Sequence, residues 1–139
     1  GDTWYFRFPD GSLKTNGWEY IGDKWYLFDD TGRMLTGWQK RDGEYYYLNS
    51  SGQMTMGWQQ SNGKWYYLNA EVPRGKMLSN TWLHSSDGKY YYLDSNGAMC
   101  EKWTQISGNW YYFYPGSGFM ATNTTIDSFR LGANGAWIR

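Results

Sequence analysis

The most regular feature of the chain is a pattern of aromatic and polar positions that recurs about every 20 residues. In each copy a Trp, often preceded by Gly, is followed by a short polar run, a turn pair and an aromatic run. The spacings between the leading Trp residues are 20, 20, 24 and 21, and these residues are Trp18, Trp38, Trp58, Trp82 and Trp103. A fixed period of this length is typical of repeat proteins.

Each copy predicts a β-hairpin. The turn pairs are Gly22-Asp23, Asp42-Gly43, Asn62-Gly63, Asp87-Gly88 and Ser107-Gly108. Such pairs favour hairpin turns because they tolerate positive φ. The aromatic runs that follow predict the second strands, and they are Trp25–Phe28, Tyr45–Leu48, Trp65–Leu68, Tyr90–Leu93 and Trp110–Phe113. No segment shows capped apolar spacing of 3.6 residues, so we expect almost no helix.

Stacking of these hairpins predicts the fold class. A single two-stranded hairpin is marginal in water, but a row of hairpins buries the aromatic face of each on the next. We therefore expect an all-β solenoid of stacked β-hairpins, forming one domain over residues 1–139. A second Gly-containing turn closes each copy and leads to a methionine, and these are Met34, Met54, Met77, Met99 and Met120.

The repeat is interrupted in the middle and altered at both ends. An insert over residues 70–76 lengthens the third copy, and Ser85-Ser86-Asp87 adds one residue to the fourth hairpin. Trp4-Tyr5-Phe6 predicts the second strand of a truncated copy, and residues 122–139 predict a degenerate copy that we expect to act as an end cap. With about five full repeats between them, we expect the chain to derive from a longer array.

Composition and charge narrow the function classes. Aromatic residues make up 22% of the chain, with 10 Trp and 14 Tyr, so rings must supply most of the buried apolar area. The 13 basic and 13 acidic residues balance without a basic block, which argues against nucleic-acid binding. No stretch has the length of a membrane span, and the single cysteine excludes an internal disulfide framework.

Strand alternation suggests what the rings do. Side chains alternate faces, so Trp65 and Tyr67 share one face and Tyr66 and Leu68 share the other. A core face and an incidental exposed face would explain one hairpin. Large rings exposed at the same place in five hairpins instead indicate a binding surface. Aromatic cages between hairpins would bind a quaternary ammonium group over their π faces, as in known choline sites.

The repeats resemble a known family. Units such as Thr36-Gly37-Trp38, then Tyr45–Leu48, then Gly52-Gln53-Met54 resemble the choline-binding repeats of Gram-positive surface proteins and cell-wall hydrolases. The resemblance covers Trp4 to about Met120 and extends more weakly to Trp137. It implies a left-handed superhelix of hairpins. It also implies sites built from the Trp after Gly, the ring that opens the aromatic strand, the ring two residues into the next aromatic strand, and a Met.

Carried over residue by residue, the resemblance implies four complete choline sites. They comprise Trp18, Trp25, Tyr47 and Met34; Trp38, Tyr45, Tyr67 and Met54; Trp58, Trp65, Tyr92 and Met77; and Trp82, Tyr90, Tyr112 and Met99. An incomplete site contains Trp103, Trp110 and Met120, where we expect the cation of Arg130 at the third ring position to oppose choline. At the other end, Trp4 and Leu13 would meet Leu27, which is not aromatic.

The resemblance implies a non-catalytic module with choline as its ligand and no cofactor or metal. Its partner would be the choline or phosphocholine of teichoic or lipoteichoic acid, and a homodimer is left open. We expect a secreted protein attached to the bacterial cell wall, without membrane insertion, that anchors a parent such as a wall hydrolase. His84 is expected to be a surface residue, and Cys100 a substituted loop position.

Two other functions remain open from the sequence. Related aromatic repeats in secreted glucosyltransferases and clostridial toxins bind glucans by stacking. A structural stalk is the third alternative, and it would show no choline-dependent change in stability.

Overall fold

The computed structural model describes residues 3–71 and 73–139, which form strands, turns and no helix. Val72 of the predicted insert lies outside the described residues. The strands are β1 (Gly17–Ile21), β2 (Lys24–Phe28), β3 (Gly37–Arg41), β4 (Glu44–Leu48), β5 (Gly57–Ser61), β6 (Lys64–Leu68), β7 (Thr81–His84), β8 (Tyr90–Leu93), β9 (Lys102–Ile106), β10 (Asn109–Phe113), β11 (Thr124–Ile126) and β12 (Phe129–Leu131). Among these described strands, each pairs with its sequence neighbour in a two-stranded sheet.

The turn chemistry explains the hairpins. Between β3 and β4, Asp42 has a φ of 51° and Gly43 a φ of 81°. Two successive positive φ values define the two-residue turn whose twist matches that of antiparallel strands. Between β7 and β8 the loop is longer, and the Ser85 N–H donates to the Lys89 carbonyl oxygen at 2.9 Å. The hairpins and the longer fourth loop predicted from the sequence are confirmed.

Backbone hydrogen bonds join each hairpin to the one before it. The Met54 N–H donates to the carbonyl oxygen of Trp25 at 2.9 Å, and the Met120 N–H donates to that of Tyr90 at 2.8 Å. Each Met also forms a β-bridge to the last residue of its own aromatic strand, as Met54 does to Leu48. The methionine after the second turn therefore links two repeats. Its bridge holds it to its own repeat, and its N–H bond holds it to the preceding repeat.

In each compact unit of the chain, the last position of the aromatic strand is a core position. Leu48, Leu93 and Phe113 are fully buried, as are the corresponding Leu68 and Leu131. Cys100 and Ile106 pack with Phe113 in one buried cluster. Cys100 lies in the loop between β8 and β9, as expected from the sequence, and it is buried there. Burial raises the pKa of its thiol.

The chain divides into two compact units, which are described separately. The first comprises Gly1–Gln59 and Leu68–Met77, and the second comprises Gln60–Tyr67 and Leu78–Arg139. Within each unit, consecutive hairpins are joined by the Met backbone bonds. The predicted fold class, an all-β solenoid of stacked hairpins, is confirmed; the hand of the superhelix and the single domain stay predictions.

The two ends differ from each other. The predicted strand at Trp4-Tyr5-Phe6 is wrong: in the described part of this segment only an isolated bridge between Arg7 and Leu13 forms. Among the described residues, no strand pairs with this segment. At the other end β11 and β12 form a complete short hairpin, and Leu131 bridges to Trp137 where the other repeats use Met.

Candidate functional site: aromatic hollows between hairpins

Strand alternation places two rings of each hairpin on one face. In the first hairpin Trp18 pairs with Leu27 and Tyr20 pairs with Trp25, so the rings of Trp18 and Trp25 lie on the same side of the sheet. On β4, Tyr46 faces away from the side that holds Tyr45 and Tyr47. The two faces of a hairpin therefore serve different neighbours.

The first hollow, which we call the Trp18 hollow, is lined by Trp18, Trp25, Tyr46, Met54 and Arg74. The ring centroids of Trp18 and Tyr46 lie 5.0 Å apart with an interplanar angle of 69°. Trp25 remains 40% exposed, so its ring is open to a ligand. Two rings come from one hairpin, and the third ring and the Met come from the next.

The second unit contains a hollow of the same design, the Trp82 hollow. Trp82 and Tyr90 come from one hairpin, and Tyr111 and Met120 come from the next. The Trp82 and Tyr111 centroids are 5.0 Å apart at 77°, close to the geometry of the Trp18 hollow. Lys89 also lines this hollow, with its ammonium 4.0 Å from the Phe119 ring centroid.

A third hollow, the Trp103 hollow, is lined by four aromatic residues, Trp103, Trp110, Phe129 and Trp137. Trp103 and Phe129 are 5.7 Å apart at 83°. The Trp103 indole N–H also donates to an Asp127 carboxylate oxygen at 2.9 Å, which fixes the ring. The tail thus supplies a third ring and replaces Met with Trp.

This hollow overturns one prediction. Arg130 was expected to occupy the third ring position, but it pairs with Thr125 and is exposed, and Phe129 takes that position. At the N-terminus, too, the residue that completes the hollow is one position before the expected one. There Trp4 shares a hollow with Tyr26 and Met34, rather than meeting Leu27.

The predicted third rings were displaced by one residue. Tyr47 contacts Trp38 of its own hairpin at 5.1 Å, Tyr92 contacts Trp82 at 5.1 Å, and Tyr112 contacts Trp103 at 5.3 Å. These tyrosines are cross-strand partners of the leading Trp, so they share its face. A ring that reaches the preceding hairpin must lie on the opposite face, which is the middle position of the aromatic run.

The predicted methionines were displaced by one repeat. The Met34 N–H donates to the Trp4 carbonyl oxygen, which places Met34 one hairpin before Trp18. The same bonds run from Met77 to Tyr45 and from Met99 to Trp65. Met120 lines the Trp82 hollow and not the hollow of Trp103 and Trp110. The backbone N–H bond of each Met thus ties it to the preceding repeat.

The remaining predicted residues are divided between the two units. Trp38, Tyr45, Trp58 and Met77 belong to the first unit, whereas Trp65 and Tyr67 belong to the second. The sites that combine residues of both units stay predictions.

The four hollows suit a small apolar cation. Their volumes are about 330 to 640 Å³, within the range of small-molecule sites. Ring pairs at 69° to 83° present faces on two sides of one space, where the ring quadrupole attracts a cation. No carboxylate lines any of these four hollows. At roughly 0.5–2 kcal/mol per ring, three rings give millimolar binding.

Several carboxylates of the chain form hydrogen bonds within turns. Hydrogen bonds from the Thr31 hydroxyl and the Arg33 N–H lower the pKa of Asp29, and a hydrogen bond from the Lys89 N–H lowers the pKa of Asp87. His84 stacks on Tyr90 with centroids 4.1 Å apart. Within residues 3–71 and 73–139, no group of three His, Cys, Asp or Glu residues could hold a metal ion. The same ranges contain no helix suited to crossing a membrane.

A family model described as the choline-binding repeat matches residues 15–54, 35–82 and 83–124. The matched segments together cover residues 15–124, which is most of the chain. The chain therefore belongs to the choline-binding repeat family. No curated protein sequence gave a match.

Solved structures agree with this assignment. Choline binding protein F from Streptococcus pneumoniae is 39% identical with a TM-score of 0.87, over 99% of this chain and 44% of that one. CbpJ from the same species is 40% identical with a TM-score of 0.87, over 98% of this chain and 45% of that one. The modular autolysin LytC from that species is 29% identical with a TM-score of 0.80, over 96% and 31%. The chain thus spans less than half the length of each of these structures.

Proposed function

We propose that the chain is a non-catalytic module whose aromatic hollows bind the trimethylammonium group of choline and phosphocholine. The observation that carries the proposal is the shared design of the Trp18 and Trp82 hollows. In each, two rings of one hairpin meet a ring and a Met of the next, and the cross-hairpin ring pairs are both 5.0 Å apart. A ligand group that recurs along a polymer would require the same arrangement of side chains in each hollow.

The ligand would be part of a polymer. One hollow binds weakly, but a row of hollows on a chain that carries many choline groups gains avidity, because the second contact becomes intramolecular. Teichoic and lipoteichoic acids with phosphocholine are such polymers. The module would then hold its parent protein at the cell wall of a bacterium that exports it, and choline-linked pairing of two copies is part of the proposal.

Two features support a role in binding and not in catalysis. Glycoside hydrolysis needs a carboxylic acid with a raised pKa, whereas hydrogen bonds lower the pKa values of Asp10, Asp29 and Asp87 in their turns. The sole histidine, His84, stacks its ring face on Tyr90. The structure of CbpF with ipratropium, a quaternary ammonium compound, further supports a cationic ligand.

The test is competition on a choline matrix. The module should be retained on immobilised choline, be eluted by free choline at millimolar to tens of millimolar concentration, and not be eluted by dextran. Free choline should also raise the melting temperature, because a ligand that binds only the folded state stabilises it. Elution by dextran with indifference to choline would favour the glucan alternative, and absence of both effects would favour a structural stalk.

A further inference from the structure

Three of the four hollows share one more position, which is supplied from two repeats downstream. The residue before the Gly of the second turn lines the hollow two hairpins earlier. Ser51 lines the Trp4 hollow, Arg74 lines the Trp18 hollow, and Asn134 lines the Trp82 hollow. We call this the rim position. Its residue differs from hollow to hollow, whereas the rings are nearly constant.

The insert of the third repeat holds Arg74 at the rim. Asn69 closes the turn on both sides of Arg74: its side-chain amide donates to the Pro73 carbonyl oxygen at 3.3 Å, and its own carbonyl accepts from the Gly75 N–H at 2.7 Å. Gly75 packs directly on Met54, since a Cβ built on Gly75 would lie 2.8 Å from the Met54 methyl carbon. These contacts hold Arg74 next to Met54, which lines the Trp18 hollow.

The guanidinium of Arg74 is available to a ligand. Among the described residues, the ion pairs join Lys14 to Glu19 and Lys76 to Glu44, and no carboxylate pairs with Arg74. The cation–ring contacts of those residues likewise involve Lys40, Lys89 and Arg139. Arg74 therefore leaves the ring faces of Trp18 and Trp25 open and presents an exposed cation at their edge.

A guanidinium at the rim of a cation-binding cage suits a ligand that carries both charges. Free choline would be repelled by the guanidinium. Phosphocholine places a phosphate two carbons from its trimethylammonium, and a guanidinium recognises phosphate with two parallel hydrogen bonds. We propose that Arg74 binds the phosphate and makes the Trp18 hollow selective for phosphocholine over choline. This inference rests on the proposed function.

The test compares two ligands at one hollow. Choline and phosphocholine are titrated separately into the isotope-labelled chain, and the indole N–H signals of Trp18 and Trp25 report the affinity of this hollow. In Arg74→Ser, the residue type of the Trp4 hollow, the ratio of phosphocholine to choline affinity should fall about threefold to fivefold. Choline affinity should itself rise up to about twofold, because a nearby cation is removed. Arg74→Lys should retain part of the preference.

The matched control is Arg33→Ser. It removes the same charge from the same unit, at an exposed residue that lines none of the described hollows. It should keep the wild-type ratio. A ratio that is unchanged in Arg74→Ser, or that falls equally in Arg33→Ser, would overturn the assignment of Arg74 while leaving choline binding intact. Failure of the wild-type chain to bind either ligand would instead overturn the proposed function.

Teichoic acid and phosphatidylcholine present the same group. Purified teichoic acid and phosphatidylcholine vesicles, matched in phosphocholine content, separate these sources by co-sedimentation. Arg74-dependent sedimentation with either one supports the phosphate contact and identifies its source. Sedimentation that is the same for wild type and Arg74→Ser with both would count against it.

Discussion

The backbone N–H of Met54 donates a 2.9 Å hydrogen bond to the carbonyl oxygen of Trp25, which lies one hairpin earlier. This bond decides the membership of the Trp18 hollow. Met54 also bridges to Leu48 at the end of β4, and β4 lies with Tyr46 and not Tyr47 against Trp18. The same bond between Met120 and Tyr90 builds the Trp82 hollow.

Adjacent tyrosines on β4 should therefore have separable effects. Tyr46→Ala removes the third ring of the Trp18 hollow, so its choline affinity should fall roughly tenfold, as expected for the loss of about 1–2 kcal/mol from one ring. Tyr47→Ala should perturb the signal of Trp38, which it contacts, and leave the Trp18 hollow within about twofold of wild type. Choline titration followed by indole N–H signals measures both. An equal loss at Trp18 in the two variants would contradict this geometry.

Packing of a turn glycine on a methionine gives a second prediction. Gly52 has a φ of 84°, and an added Cβ would lie 2.7 Å from the Met34 methyl carbon. Gly43 has a similar φ of 81° but no atom within 4 Å of an added Cβ. Both Ala variants should lose about 1–2 kcal/mol of unfolding free energy from the backbone conformation. Gly52→Ala should lose about 1 kcal/mol more, because Met34 must move.

Urea unfolding of the two Ala variants measures the difference. Equal stabilities would show that Met34 is not held against Gly52.

Tyr91 gives a prediction on pH. Its ring is buried and its hydroxyl donates to an Asp87 carboxylate oxygen at 3.0 Å. Burial, together with this hydrogen bond, raises the pKa of Tyr91 to about 12, against about 10 in an unfolded chain. A raised phenol pKa stabilises the fold fully below pH 10, and this contribution is lost as the pH rises through 12.

Ultraviolet titration of tyrosine ionisation checks this. The wild-type chain should show a late ionisation step that coincides with unfolding, and Tyr91→Phe should lack it. The exposed Tyr20→Phe serves as the control and should keep the step. A late step that survives in Tyr91→Phe would refute the assignment.

The hairpins and the core follow from local sequence. Asp42-Gly43 imposes positive φ on two residues, and the alternation from Tyr45 to Leu48 sends Leu48 inward. These effects act within about ten residues, so they can be read without knowing how the hairpins stack.

The membership of each hollow depends on a longer-range relationship. Tyr46 and Tyr47 are both aromatic, and Tyr46 faces Trp18 because of how consecutive hairpins stack, as in the bond between Met54 and Trp25. Alternation does contain a usable signal, because a residue that shares the face of Trp38 cannot also serve the preceding hairpin. Arg74 lies two repeats after Trp18, and its position depends on the packing of Gly75 on Met54. Strand alternation carries no information on that packing, so Arg74 could not have been found from the sequence.

The central claim is that the hollows bind a positive charge over ring faces and not merely an apolar group of the right size. Its most direct test compares choline with 3,3-dimethylbutanol, the neutral compound of the same shape, by indole N–H titration of Trp82 and Trp18. The account predicts millimolar binding of choline and binding of the neutral compound at least about tenfold weaker. Equal affinity for the two compounds, or signals that respond to neither, would contradict it.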